Sequence, residues 1–509
     1  MSYLVLLKLA SPEAIVVVTA LAVLTVGLTS GRRTAEAAAS YAKPSANAGD
    51  TPAATATASL ICSIVATSGL AIAICAVLML KQNATLFGGM LVITRLTSLF
   101  KIICISLALF TVSLARTDRP SRNPGEYLAM LLLATIGLML LVGSEELLMI
   151  FIGLELTGLS LYVMVAFDKT DVRSAEAGLK YFLFGSTASA FTLFGISLIY
   201  GMSGTTSLVA IGQRLGSALV QPLLAVGIVM TLIGFAFKIA AAPFHLWAPD
   251  AYQGAPVPSA AFIASGSKVA SFVVLGKIVL VGFAPVHGSA NWHAMVTGWS
   301  PVLAALAALS ILVGNLVALA QTNVRRLLAY SAVAHGGYTL LGLVAGGRDG
   351  FSATLFYTTA YAITLVGAFG VVALVRRETG GDDFSNFSAL WTRSPLLAGC
   401  MAIFMLSLAG IPPLAGFFGK FYLFSAALRA GGNHGLLWLV ALALFGSLIS
   451  LYYYLIVLKV IFVEETATQT SIVKVDLLSR MSLTLLALFV LVLGITPEAL
   501  AARIIASLP

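Results

Sequence analysis

The sequence predicts an all-α polytopic membrane protein with about 14 transmembrane helices of about 20 residues each. Of its 509 residues, 59% are apolar and only 10% are charged, against about 25% charged in an average soluble domain. So few charges cannot cover the surface of a soluble protein of this length. The apolar residues do not alternate with the period of two that marks a membrane barrel. Helices, which satisfy their own backbone hydrogen bonds in lipid, are therefore expected.

The predicted spans are runs of mostly apolar residues long enough to cross about 30 Å of hydrocarbon. They lie at residues 12–30, 59–80, 98–116, 125–143, 145–167, 175–200, 221–242, 257–284, 300–320, 325–345, 351–375, 393–429, 434–460 and 479–498. Between the first two spans, residues 31–58 are rich in Ala, Ser, Thr and Pro. This composition predicts a flexible loop outside the membrane.

The seventh and twelfth spans contain residues that interrupt helices. Pro243 follows Lys238 in the seventh span, and Pro412 and Pro413 precede Lys420 in the twelfth. Because proline lacks an N–H donor and clashes with the preceding turn, both helices are predicted to be discontinuous. Two interrupted helices five spans apart are typical of an inverted repeat. Spans 4–8 and 9–13 are therefore predicted to be two five-helix repeats of opposite orientation.

The spans divide the chain into four predicted regions. Helices 1–3 and the loop occupy residues 1–124, the first repeat 125–284, the second repeat 285–460, and a C-terminal loop with the last helix 461–509. Basic residues outside the spans are more frequent on one side, which is expected to be cytoplasmic. Both termini are then expected on the outer, periplasmic side of the inner membrane.

Charged residues inside the spans are the candidate functional residues. Glu155 is the acid nearest the middle of a span. Apart from basic residues in loops or at span edges, among them Lys101, the lysines inside spans are Lys180, Lys238, Lys268, Lys277 and Lys420. A charged side chain at the bilayer centre costs at least ~2.5–3.5 kcal/mol. A lysine kept from water releases its proton more easily, and a nearby carboxylate opposes that release. A buried glutamate with several buried lysines therefore predicts a proton relay.

Several of the remaining polar residues allow two interpretations. Lys277 lies near the end of its helix and is expected to extend its ammonium group to the interface. Lys180 lies one to two turns inside its span and fits a structural or a functional role. His335 could carry protons between the repeats, since histidine titrates near neutral pH, or could be satisfied by a backbone carbonyl. His245 and Asp250 are expected to shape the proline-rich segment after the seventh span.

Composition and motifs exclude other classes of function. The four cysteines lie singly in apolar runs without a C-x-x-C pair, so no disulfide framework, zinc site or iron–sulfur site is expected in this chain. No phosphate-binding G-x-x-x-x-G-K-[ST] motif occurs. The basic residues form no stripe, which excludes nucleic-acid binding.

Six motifs resemble one known family, the antiporter-like membrane subunits of respiratory complex I, the proton-translocating NADH-quinone oxidoreductase. They are LELTGLSLYV (154–163), GLKYFLFGS (178–186), FKIAAAPFHLWAPDAYQGAP (237–256), SGSKVASF (265–272), NLVALAQTNVRRLLAYSAVAHGGY (315–338) and LSLAGIPPLAGFFGKFYLF (406–424). The resemblance covers roughly residues 85–460. The YQGAP run and the lysine at position 420 make the chain similar to the N-type members.

The resemblance implies an antiporter-like fold of many helices, some of them interrupted. It also implies that residues at matching positions take part in a proton relay. These residues are Glu155, Lys180, Lys238, Lys268, His335 and Lys420. In the family, the glutamate that matches Glu155 pairs with the lysine that matches Lys238. The lysine at 268 then passes protons toward the lysine at 420, which faces the outer half-channel.

The resemblance also implies the cofactors and partners. FMN and iron–sulfur clusters are expected in partner subunits and none in this chain. Quinone is expected to be reduced elsewhere in the complex, and the partners are neighbouring antiporter-like and small membrane subunits together with the lipid bilayer. Two alternatives remain open. One is a subunit of a cation/proton antiporter or a membrane-bound hydrogenase-type complex, and the other is a purely structural membrane spacer.

Overall fold

The structure is a computed structural model that describes residues 3–40, 51–80, 82–118, 123–216, 221–430, 435–464 and 475–508. Most of these residues are helical. The α-helices of the first half are α1 Tyr3–Leu9, α2 Ser11–Ser40, α3 Thr51–Met79, α4 Arg95–Asp118, α5 Pro124–Val142, α6 Leu147–Val165, α7 Val172–Ser203, α8 Leu208–Leu215, α9 Pro222–Lys238, α10 Trp247–Gly254, α11 Val257–Phe262 and α12 Lys268–Lys277. Those of the second half are α13 Trp299–Ala318, α14 Val324–Ala345, α15 Gly347–Thr379, α16 Leu390–Arg393, α17 Pro395–Ala409, α18 Ala415–Arg429, α19 Leu437–Phe462, α20 Leu477–Ile495 and α21 Glu498–Ser507.

Two small antiparallel hairpins and several short turns connect the helices. The hairpin strands are β1 Ala84–Leu86 with β2 Leu91–Ile93, and β3 Ser289–Asn291 with β4 Ala294–Val296. Turns of 3₁₀ helix lie at Phe87–Gly89, Ala284–Val286 and Phe384–Phe387, and π-helical turns lie at Ile263–Ser267 and Ile278–Gly282.

The membrane-spanning class predicted from composition is confirmed. Among the described residues, 12 helices are long and apolar enough to cross a membrane, one of them the continuous helix Val257–Gly282. The shorter apolar helices Pro222–Lys238 and Pro395–Ala409 coincide with the seventh predicted span and with the start of the twelfth. The number of crossings, the inverted repeats and the boundaries of the four regions stay predictions.

Residues 31–58 differ from the predicted loop. Helix α2 continues to Ser40 and α3 begins at Thr51, so 31–40 and 51–58 are helical; residues 41–50 lie outside the described residues. Both helical extensions are rich in alanine, which has the highest intrinsic helix propensity. The helix propensity of alanine therefore explains why these segments are helical although their polar composition predicts a loop.

Both predicted helix interruptions are confirmed. Helix α9 ends at Lys238, where the ring of Pro243 would clash with the carbonyl of residue 239 if the helix continued. The chain becomes helical again at Trp247, whose Nε1 donates to the carbonyl of Phe237 at 3.1 Å. In the second interruption, α17 ends at Ala409, and the following Gly410 has a left-handed backbone conformation with a φ of 87°. Each break leaves a lysine beside non-helical backbone.

Helices α14 and α15 and the helix Val257–Gly282 form the centre of the protein and are almost entirely buried. Helix α15 packs against α4, α14, α17, α18 and α20, and α14 packs against α13. The outer helices α2, α3, α7, α19 and α20 expose many large apolar side chains. This distribution is typical of a protein whose exterior faces lipid or apolar partners. The central helices carry the buried polar residues described below.

Candidate functional site

Glu155 and Lys238 line one small cavity between α6, α7 and α9. The cavity has about 20 Å³ of space for the centre of a water molecule, enough for one water. Ser189, on α7, donates a hydrogen bond to the Glu155 carboxylate. In the described part of the chain no ion pair within 4.0 Å joins Lys238 to Glu155. Glu155 and Lys238 therefore share a cavity without a direct ion pair, and the pairing that the resemblance implies stays a prediction.

Lys268 lies at the first position of α12, directly after a π-helical turn. Its Nζ donates to the backbone carbonyl of Ala332 at 2.6 Å and lies 5.7 Å from the ring centroid of Tyr361. The side chain is buried. A carbonyl oxygen and an aromatic face both stabilise an ammonium group. π-Helical turns are frequent at functional sites, which agrees with the role expected for this lysine.

His335 is held by tyrosine hydroxyls rather than by a backbone carbonyl. A hydrogen bond of 2.5 Å joins its Nδ1 to the hydroxyl of Tyr357, and one of 3.0 Å joins its Nε2 to the hydroxyl of Tyr454. Tyr454 is in turn hydrogen-bonded to Ser331. The imidazole stacks on Tyr361, with ring centroids 4.8 Å apart. Both ring nitrogens therefore contact groups that can donate or accept a proton.

Lys420 lies at the second helix interruption. Its Nζ donates to the carbonyl of Ala409, the last residue of α17, at 2.9 Å and to the hydroxyl of Ser447 at 2.8 Å. The ammonium also lies 5.3 Å from the ring centroid of Tyr338, whose ring meets that of His335 edge-on at 5.6 Å. In a continuous helix this carbonyl would accept a hydrogen bond from a backbone N–H. At the interruption it is available to the Lys420 ammonium group instead.

Together these contacts form a buried line across the centre of the protein. In order, the line runs through Lys268, Tyr361, His335, Tyr338 and Lys420. Helix α9, which ends in Lys238, packs against α12, which begins with Lys268. We call this set of five residues the central line. Three predicted site residues, Lys268, His335 and Lys420, are therefore connected through tyrosine rings, and Lys238 ends the neighbouring helix.

Lys180 lies apart from the central line. Its side chain is 40% exposed and pairs with Glu176 at 2.6 Å and with Asp250 at 2.8 Å. Asp250 also accepts a hydrogen bond of 2.8 Å from Arg326. Although partial burial opposes the charge, hydrogen bonds from Lys180 and Arg326 hold the pKa of Asp250 below its usual value. This surface network joins α7, α10 and α14, whereas the resemblance places Lys180 in the relay.

Two further buried ion pairs were not predicted from the sequence. Lys101, expected near the edge of a span, is 2% exposed on α4 and lies 2.6 Å from Glu13. Lys277, expected to extend to the interface, is buried and lies 3.5 Å from Glu145. Helix α4 begins at Arg95, three residues before the predicted span, which places Lys101 farther inside the helix.

The tyrosines around His335 were also missed. Tyr357 and Tyr361 lie on α15, and Tyr454 lies on α19. Hydroxyl-bearing rings in otherwise apolar spans are a signal that could have indicated them, because a buried tyrosine usually needs a hydrogen-bond partner. Among the described residues no group of three or more His, Cys, Asp and Glu side chains could hold a metal ion.

Comparisons with known proteins place the chain in one family. Residues 144–450 match the family model described as "NADH:quinone oxidoreductase/Mrp antiporter, TM". A protein of Acidobacterium capsulatum named NADH-quinone oxidoreductase subunit N 2 is 48% identical over 84% of this chain and 87% of its own length. A chain of respiratory complex I from Thermus thermophilus is 31% identical with a TM-score of 0.76, and the match covers 96% of this chain and 98% of that one.

A third match concerns the fold alone. A chain of the Mrp complex from Dietzia sp. is 21% identical with a TM-score of 0.76, covering 96% of this chain and 97% of that one. The family model matches more than half of the present chain, and the Acidobacterium capsulatum relative is similar along most of it. The chain therefore belongs to the NADH:quinone oxidoreductase/Mrp antiporter family of membrane proteins.

Proposed function

We propose that this chain is a proton-translocating membrane subunit of an NADH:quinone oxidoreductase. The observation that carries the proposal is the central line, in which a histidine lies between two buried lysines and contacts both through tyrosine rings. Buried ionisable groups are costly in a membrane protein, and they mark ion pathways and proton relays. The relative named NADH-quinone oxidoreductase subunit N 2 supports the assignment of this relay to quinone-coupled pumping.

The first step we propose is proton loading at Lys238 from the cytoplasmic side. Lys238 and Glu155 share a cavity that can hold a water molecule. The charged carboxylate favours the charged lysine, so movement or protonation of Glu155 lets Lys238 release its proton. The pair thereby controls the direction of transfer. Lys180 acts at the entrance to this path, since it is partly exposed and bound to two carboxylates.

The second step is transfer along the central line. The proton released by Lys238 passes to Lys268, then to His335 and then to Lys420, and it leaves on the opposite side. His335 suits the middle position because each of its ring nitrogens contacts a tyrosine hydroxyl. Such a ring can accept a proton on one nitrogen and release one from the other.

The remaining parts of the proposal concern the host complex. Redox chemistry with FMN and iron–sulfur clusters belongs to partner subunits, and this chain contributes proton movement without a redox centre of its own. Its neighbours are other antiporter-like subunits and small membrane subunits. The chain lies in the inner membrane with both termini on the periplasmic side, as the distribution of basic residues indicates.

A cation/proton antiporter is the second candidate function. The family description names Mrp antiporters as well, and the Mrp complex chain shares the fold. To distinguish the two, the chain is purified from its native membrane in mild detergent, and NADH:quinone reductase activity and flavin absorbance are measured. We expect both to co-purify with the chain. A chain that purifies only with antiporter-like partners, and that exchanges cations along a pH gradient, would assign it to the antiporters.

Replacement of one relay lysine tests the pumping role directly. Lys238→Met keeps the length of the side chain and removes the ammonium group, so we expect less proton uptake into sealed vesicles per NADH oxidised. Lys459→Met is the matched control, because that lysine is 65% exposed. Full pumping by an assembled Lys238→Met complex would contradict the proposed relay.

A further inference from the structure

Two buried lysines outside the central line converge on the junction between α5 and α6. Nζ of Lys277 donates to the carbonyl of Val142 at 2.9 Å and lies 3.5 Å from the Glu145 carboxylate. A methyl group added at Gly143 would lie 3.1 Å from Nζ of Lys101. Both ammonium groups therefore approach the same short segment, which joins two of the most apolar helices of the protein.

The carboxylates of this region differ in their access to water. Glu13, the partner of Lys101, is 8% exposed. Neither of its carboxylate oxygens has hydrogen-bond geometry in the described part of the chain, although Oε1 lies 2.6 Å from Lys101 Nζ. The side chain of Glu145, by contrast, is 30% exposed.

These four residues form a site separate from the central line. Lys268 and Lys277 are the first and last residues of α12. They are separated by about two and a half helical turns and so lie on opposite faces. Lys268 faces Ala332 on α14, whereas Lys277 faces the junction of α5 and α6. We call Glu13, Lys101, Glu145 and Lys277 the lateral charge cluster.

We propose that the lateral charge cluster is a second proton-exchange site of this chain, open to water through Glu145. The Lys277 ammonium transfers a proton to the Glu145 carboxylate, which leaves a neutral amine and a carboxylic acid. Glu145 then gives the proton to water at the surface, and the reverse steps reload the amine. The nearby positive charge of Lys101 favours release, because like charges repel. This inference rests on the proposed function, since it gives the translocated protons a second binding site.

The test compares variants of Lys277 in the complete, assembled complex. Lys277→Arg keeps the positive charge and can still pair with Glu145, but arginine does not release its proton in proteins. The double variant Lys277→Gln with Glu145→Gln removes both charges and leaves no buried charge unpaired. Protons pumped per NADH oxidised are measured in sealed vesicles beside Lys238→Met. The exposed pair Lys459 and Glu464, 3.6 Å apart, is changed to two glutamines as the matched control.

The expected result is that both Lys277 variants lower the proton-to-NADH ratio by the same fraction as Lys238→Met, while the control pair has no effect. A normal ratio in either Lys277 variant would show a structural ion pair and overturn the inference. If both fail to assemble, Glu145→Gln at its partly exposed position decides by the same ratio. If Lys238→Met also pumps normally, the proposed function itself fails; if only the Lys277 variants pump normally, the inference alone fails.

Discussion

The hydrogen bonds between His335 and two tyrosines provide the sharpest test of the central line. Tyr357→Phe and Tyr454→Phe each remove one hydroxyl and keep the ring, so each leaves one imidazole nitrogen without its partner. A hydrogen bond to a charged group contributes about 1.5–3 kcal/mol. If the proton passes through the charged imidazole, losing one such bond slows that step about 10- to 150-fold, since each 1.36 kcal/mol is tenfold in rate.

The assay is proton uptake into sealed vesicles at a matched rate of NADH oxidation, with assembly of the complex verified first. Tyr127→Phe is the control, because it removes a buried tyrosine hydroxyl that hydrogen-bonds Ser259 at 2.8 Å away from the line. We expect the control to pump normally and the two test variants to pump slowly. If the double variant Tyr357→Phe with Tyr454→Phe pumps as fast as the parent, protons do not pass through His335.

Three further expectations follow from the same contacts. Lys238→Arg should lose pumping as Lys238→Met does, because arginine holds its proton; normal vesicle uptake would contradict this. Asp250→Asn should destabilise the complex at neutral pH, and the thermal-unfolding difference from the parent should persist down to the ordinary carboxyl pKa. The difference should disappear only at pH values below that ordinary pKa, because the pKa of Asp250 is lowered in the folded protein. Arg325→Met should cost about 3–5 kcal/mol of stability by leaving its buried partner Asp382 unpaired. Replacing both partners by apolar residues should recover much of the loss, and thermal unfolding of the purified complex measures both.

Several features were predictable because they depend on local properties of the chain. Hydropathy over about 20 residues determines whether a helix can cross a membrane, and the 12 long apolar helices of the described residues coincide with predicted spans. Proline acts on the turn that precedes it, so the interruptions beside Lys238 and Lys420 could be read directly from the sequence. Lysines inside apolar runs were recognisable for the same reason. The extension of α2 to Ser40 was missed because composition alone does not balance alanine propensity against polar residues.

Which of these groups contact one another depends on the packing of the helices, which the sequence does not reveal. His335 lies 22 residues from Tyr357 and 119 from Tyr454, and no periodicity in one helix reveals which face another helix turns toward it. The same limit hid the pairing of Lys101 with Glu13 and that of Lys180 with Asp250. The sequence shows which charged residues lie inside apolar spans, where burying a charge is costly. The rotation and packing of neighbouring helices determine which carbonyl, hydroxyl or carboxylate offsets that cost.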